Sequence, residues 1–152
     1  MTDQFATYRS LRGQVDFVSG GATGLGAEFV TQLAAQGVRV GFVDLQDDAG
    51  QALASTVAEQ GDPPPLYQHC DVRDIAALQA AITETAQRLG PVTVLVNNAA
   101  NDQRHSVETL SVQEWDDRLN VNLRHHFFAT QAVAPMMRAA GRGSVINLGS
   151  IS

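Results

Sequence analysis

The chain has 152 residues, of which 44% are hydrophobic and 17% charged, with a formal charge of −6; this suits one soluble globular domain with a real core. Its ten basic residues, all arginine, are scattered along the chain, so the clustered cationic footprint of a nucleic-acid binder is missing. No apolar run reaches the length of a membrane span, and the start, Met1-Thr-Asp-Gln-Phe5, lacks a signal-peptide pattern, which points to a cytoplasmic protein.

Residues 1–12 read as a leader, and regular patterning begins near Gly13. Val15–Ser19 is the first of five short runs, each rich in valine or other apolar residues, that read as buried parallel strands. Asp16 interrupts it, and we expect that residue near the exposed start of the strand. Ser19-Gly20-Gly21-Ala22-Thr23-Gly24-Leu25-Gly26 follows, ahead of a helix carrying Phe29, Val30, Leu33 and Ala34. The second strand is expected over Val38–Val43, running into Asp44. A third, Leu66–Cys70, comes after the stiff loop Asp62-Pro63-Pro64-Pro65 and runs into Asp71. Cys70 is the single cysteine, which excludes an internal disulfide and a cysteine-based metal site.

Ile75, Leu78, Ile82, Ala86 and Leu89 recur at helical spacing, and Gly90-Pro91 ends that helix. The fourth strand is expected over Val92–Val96, running into Asn97-Asn98. Ser111-x-x-Glu114 is a capping-box pattern that starts a long helix running toward Pro135 and Gly141. On that helix Trp115, Leu119, Asn122, His126, Ala129 and Val133 follow helical spacing, which turns Asn122 inward. The fifth strand, Ser144–Leu148, runs into Gly149-Ser150. Strands alternating with helices make an α/β fold, a doubly wound parallel sheet of the Rossmann-like kind.

In such a sheet ligands bind beyond the carboxyl ends of the strands, and here every one of those ends is polar or glycine. Gly20, Gly24 and Gly26 permit a tight strand-to-helix turn, close approach of the backbone to a pyrophosphate, and a helix N-terminus facing the anion. Leu25 lies in the same turn. Asp44 stands eighteen residues after Gly26, where a dinucleotide fold places an acid on the adenosine ribose. A carboxylate there accepts from the 2′-hydroxyl and repels a 2′-phosphate, so NAD is expected over NADP; the other reading of Asp44 is a solvated turn residue. His125 and His126 point to different helix faces, and no metal site is expected.

These motifs together resemble the short-chain dehydrogenase/reductase family: the glycine loop, Asp71-Val72, Asn97-Asn98-Ala99-Ala100, Asn122-Leu123 and Val145-Ile146-Asn147-Leu148-Gly149-Ser150. The resemblance covers the chain from about Gly13 to Ser152 and implies that residues 13–152 form a dinucleotide-binding domain, here with five strands of a normally larger sheet. It implies that Gly20, Gly24 and Gly26 hold the pyrophosphate, Asp44 the ribose, and Asp71 and Val72 the adenine, with Asn98 as scaffold beside the cofactor. Asn122 would match the catalytic asparagine and Ser150 the serine that hydrogen-bonds the reacting hydroxyl or carbonyl. The family has Asn-Asn-Ala-Gly where this chain has Ala100 last, a tolerable change between small residues. It also carries a Tyr-x-x-x-Lys pair after the serine strand. In this chain Tyr8 and Tyr67 are followed four residues later by Arg12 and Asp71, and there is no lysine. The expectation is a fragment of a longer enzyme, inactive by itself, or a short cofactor-binding relative.

The stretches Asn97 to His105, Trp115-Asp116-Asp117, Asn120 to His126 and Gly149 to Ser152 look like the aldose 1-dehydrogenase branch, which includes xylose and galactose dehydrogenases. This resemblance implies hydride removal from the anomeric carbon of a sugar. Asn101, Asp102, Arg104 and His105 form a polar loop beyond the fourth strand that either binds sugar hydroxyls or is simply solvated. The long helix 111–139 has a second apolar line, Val121, Phe128 and Ala132, and in this family that helix commonly pairs two subunits, so a homo-oligomer is expected. The competing reading is a non-catalytic module that binds a nucleotide or a partner.

Overall fold

The computed structural model describes residues 6–150; Met1–Phe5, the segment bearing on the signal-peptide reading, and Ile151-Ser152 lie outside the described residues. Five parallel strands, β1 (Val15–Ser19), β2 (Arg39–Asp44), β3 (Leu66–His69), β4 (Val94–Asn97) and β5 (Ser144–Asn147), form one sheet in the order β3-β2-β1-β4-β5. The helices are α1 (Gly24–Ala35), α2 (Asp47–Glu59), α3 (Ile75–Leu89), α4 (Val112–Leu119) and α5 (His125–Ala139), with one π-helical turn, Asn120–Arg124, joining the last two.

The alternation of side chains along each strand builds two cores. On one face Val15, Phe17, Val43 and Leu95 pack with Leu78, Ala81 and Ile82 of α3 and Ala129 and Val133 of α5. On the other, Val18, Val40, Phe42 and Val96 pack with Val30 of α1 and the partly buried Leu53 and Ala54 of α2. The first two crossovers, through α1 and α2, thus cover one face and the last two, through α3 and α5, the other, and the strand order changes direction between β1 and β4. That junction is where a doubly wound sheet opens a crevice for a ligand.

Local chemistry sets the helix ends, with the Gly90 stop and the Ser111–Glu114 cap where the sequence suggests them. Asp74 caps α3 by accepting from the Ala77 N–H, and Gly90, at φ 110°, ends it. Ser111 and Glu114 form the complete capping box of α4.

Three expectations are corrected. Asp16 is fully buried, not at an exposed strand start, and neither carboxylate oxygen has a hydrogen-bond partner among the described residues. The strands at the two ends of the sheet among the described residues are not buried as expected: β3 is half-buried to exposed, and β5 is exposed along its length, pairing with β4 and tied to it by Asn97 Nδ2 donating to Asn147 Oδ1 at 2.8 Å. The long helix is not uniform. The π turn inserts extra rotation at Asn120–Arg124, so the buried line of α5 begins at His125, followed by Ala129 and Val133, while Asn122, Trp115 and Leu119 are exposed.

Candidate cofactor and active site

The carboxyl ends of β1, β2, β3 and β4 surround a cavity of about 500 Å³. Gly20, Asp44, Asp71, Val72, Asn98 and Asn101 line it among the residues expected from the sequence. Thr23, Gln46, Arg73 and Val121 line it as well.

The glycine loop is shaped by close approach. Gly20 has φ 68°, and a Cβ there would lie 2.8 Å from the Ala99 Cα. A Cβ on Gly26 would run into the Gly20 carbonyl oxygen. Gly24, the first residue of α1, has φ 57° yet open space where its Cβ would be, so its backbone conformation and not crowding calls for glycine. Thr23 makes no side-chain cap and the first turn of α1 holds no acid. The amides at this helix start are therefore left to face an anion. Instead of capping, the Thr23 hydroxyl accepts from Gln46 Nε2 at 3.2 Å. This donor set and this glycine cradle fit a dinucleotide pyrophosphate.

Asp44 is bound into the same unit. Its Oδ2 accepts from the Ala22 N–H at 3.0 Å and its Oδ1 from the Gln46 N–H at 3.1 Å. Roughly four acceptor positions exist on a carboxylate, so capacity remains for ribose hydroxyls. Asn98 braces the loop from β4: its Nδ2 donates to the Ser19 and Gly20 carbonyls at 3.1 and 2.8 Å.

Asp71 is paired with Arg73, whose guanidinium donates to both carboxylate oxygens; these bonds hold the Asp71 carboxyl below its usual range. Cys70, buried at the same wall, has its thiol pushed up to about 11, first by burial and then by the Asp71 and Asp74 charges.

The candidate catalytic and substrate residues divide. Asn122 Oδ1 accepts from the Asn101 N–H at 2.8 Å and its Nδ2 donates to the Asn101 carbonyl at 3.0 Å. Asn122 thus clamps the loop after β4 and does not line the cavity itself, whereas helical spacing alone puts it in a buried seam. Ser150 is exposed just beyond β5. Of the polar loop, Asn101 reaches the cavity, Asp102 and Arg104 are exposed, and His105 turns toward α4, where its Nε2 accepts from Arg118 Nε at 3.1 Å. Gly24, Leu25 and Gly26 stand behind the lining, in the turn that shapes it.

A family described as short chain dehydrogenase matches residues 14–152. The chain belongs to the short-chain dehydrogenase family. Among curated short-chain dehydrogenase relatives, a D-xylose 1-dehydrogenase of Caulobacter vibrioides is 46% identical over 148 residues, covering 97% of this chain and 57% of that protein. A probable galactose dehydrogenase of Rhizobium meliloti is 43% identical over 152 residues, covering 100% of this chain and 59% of that protein. The chain therefore spans a little over half the length of these relatives. Among solved structures, a double mutant of a Serratia marcescens short-chain dehydrogenase/reductase superposes with TM-score 0.86 at 37% identity over 93% of this chain and 57% of that one. A metagenomic short-chain oxidoreductase in complex with NADP gives 0.88 at 32% identity, over 94% and 65%.

The site residues that sequence reasoning missed have weak signals. Gln46 and Arg73 each stand two positions after a strand-end aspartate, a spacing at which side chains fold back over the turn. His125 offered only a histidine pair.

Proposed function

We propose that this chain is the cofactor-binding portion of a cytoplasmic NAD-dependent oxidoreductase that takes hydride from an aldose at C1. The observation carrying the reading is the hydrogen bond from Ala22 N–H to Asp44 Oδ2, 3.0 Å, which makes the phosphate loop and the ribose acid one preformed unit. In this reading Gly20, Gly24, Leu25 and Gly26 form the pyrophosphate turn, Asp44 takes the ribose hydroxyls, Asp71 and Val72 flank the adenine, and Asn98 braces the seat. A 2′-phosphate would meet the Asp44 charge, and Arg73, the basic residue lining the cavity among the described residues, is already engaged by Asp71. Both features support NAD.

A bound nicotinamide would accept the hydride. Asn122 would hold the loop at Asn101 in register, and Ser150 would hydrogen-bond the reacting hydroxyl. Within these 152 residues no tyrosine has a lysine four residues on, so proton transfer by this chain alone is not expected. The sugar assignment is supported by the xylose and galactose dehydrogenase relatives and by Asn101 at the cavity wall, with Asp102, Arg104 and His105 in the adjoining loop. Pairing of two copies along 111–139 belongs to the same reading, supported by exposed Leu119, Leu123 and Phe127.

Fluorescence titration of the chain with NADH and NADPH tests the cofactor, with NADH expected to bind more tightly. Tighter NADPH binding would overturn the NAD assignment, and binding of neither would overturn the whole reading. Saturation-transfer NMR with D-xylose, D-galactose and a hydroxysteroid in the presence of NADH tests the substrate class. Contact with the steroid and none with the sugars would refute the aldose assignment.

A further inference from the structure

The buried Ser19 hydroxyl, at the end of β1, accepts from two backbone donors, the Asn98 N–H at 3.0 Å and the Ala99 N–H at 3.1 Å. A hydroxyl has two acceptor lone pairs and one proton, so both lone pairs are used and the proton must go elsewhere. His125 Nε2 lies 3.2 Å from the same oxygen. The only arrangement that satisfies all three contacts has Ser19 donating to a bare Nε2. The ring proton then sits on Nδ1 and is donated to the Val121 carbonyl, 2.6 Å away.

The histidine side chain is fully buried, and burial, helped by the neighbouring His126 ring at 4.4 Å, pushes its pKa down to about 4. A protonated ring would put a second donor against the Ser19 proton; the neutral form agrees with the geometry.

We infer that His125 is a positioning residue that joins the glycine loop to the π turn, fixing Ser19 against the Asn98-Ala99 backbone through Nε2 and the Asn122-bearing turn through Nδ1–H. Three segments of the chain converge on the Ser19–His125 pair. Ser19 immediately precedes Gly20. Ala99 is the residue against which Gly20 rests. Val121 lines the cavity and directly precedes Asn122. The proton direction set at one buried imidazole therefore orders the cofactor seat and the candidate catalytic asparagine together, an arrangement that accords with the placement of π turns at functional sites. The inference rests on the dinucleotide reading for its consequence, though not for its geometry.

The geometry is tested first, without cofactor, by long-range proton–nitrogen NMR of the nitrogen-15-labelled chain. A neutral His125 protonated at Nδ1 with bare Nε2 is expected at pH 7; the opposite tautomer, or a protonated ring at that pH, overturns the inference. Two variants then separate the bonds. His125→Gln keeps an acceptor for Ser19, and His125→Asn keeps a donor for Val121.

Each loses one bond, so both should lower the unfolding midpoint to a similar extent. NADH affinity should split, staying within about twofold for His125→Gln and falling about tenfold, about 1.4 kcal/mol, for His125→Asn. The amide shifts of Asn101 should move in the first variant and hold in the second. NADH affinities that simply follow the midpoints would reduce His125 to a packing residue and overturn the proposal. If the tautomer is as expected and the unaltered chain binds no NADH, the dinucleotide reading fails while the bond network stands.

Discussion

Replacing Asp16 with valine is expected to stabilise the chain, and by an amount that grows with pH. The carboxyl is fully buried between Val40 and Val94 in register on the flanking strands, and neither oxygen has a partner among the described residues. Burial raises its pKa from 3.8 to about 7. An acid whose folded pKa is raised adds nothing unfavourable below its ordinary pKa, where it is protonated in both states; stability is then lost as pH climbs toward the folded value of about 7. A difference of about three pKa units at about 1.4 kcal/mol each gives an upper figure of about 4 kcal/mol above about pH 8. By about pH 5, about 2 kcal/mol of this has already been lost. A valine at this position has no such slope, and the substitution also removes two unpaired buried oxygens. Urea unfolding followed by far-UV circular dichroism at about pH 5, 6, 7 and 8 should show the gap between variant and parent widening by about 2–3 kcal/mol. Asp16→Asn should abolish the slope while keeping the side-chain shape. A gap that stays constant across this range would refute the buried, partnerless carboxyl.

Two further substitutions or probes address the site. Gly26→Ala places a Cβ on the Gly20 carbonyl and against Asn98 Nδ2; unfolding should show a loss of about 1–3 kcal/mol, and NADH titration a fall of more than about tenfold. Native-like affinity in that variant would mean the turn relaxes freely. Cys70, with its thiol raised to about 11 and only 3% exposed, should react with a disulfide reagent at about pH 8 only as fast as the chain opens. Stoichiometric reaction of the native protein within seconds would contradict this.

The sheet was legible because β1, β2 and β4 are mostly apolar runs with polar ends. α3 was legible from its period and its Gly90-Pro91 stop, and the start of α4 from Ser111 and Glu114. The exposure of β3 and β5 was not legible, because an apolar pair such as Val145 and Ile146 looks alike wherever its strand lies; the order of pairing puts both strands at the ends of the sheet among the described residues. Asp16 misled because a lone acid in an apolar run ordinarily signals the water-facing end. The π turn was invisible to a fixed helical period: a single wide turn shifts the phase, so a pattern that selected Asn122 and His126 for the interior lands on His125. The residues around the cavity that were missed, Thr23, Gln46 and Arg73, act through contacts between side chains in turns, where sequence periodicity carries no information.

The placement of β1 between β2 and β4 has a kinetic consequence. It is the earliest strand in the chain, yet its ladder closes only when β4 arrives, and the Ser19 hydroxyl waits for a histidine 106 residues further on. Such distant pairings are late events in a folding reaction. Helix signal should therefore recover before the capacity to bind a nucleotide does, and a nascent chain lacking α5 would carry the whole glycine loop with one of its buried proton acceptors still to come.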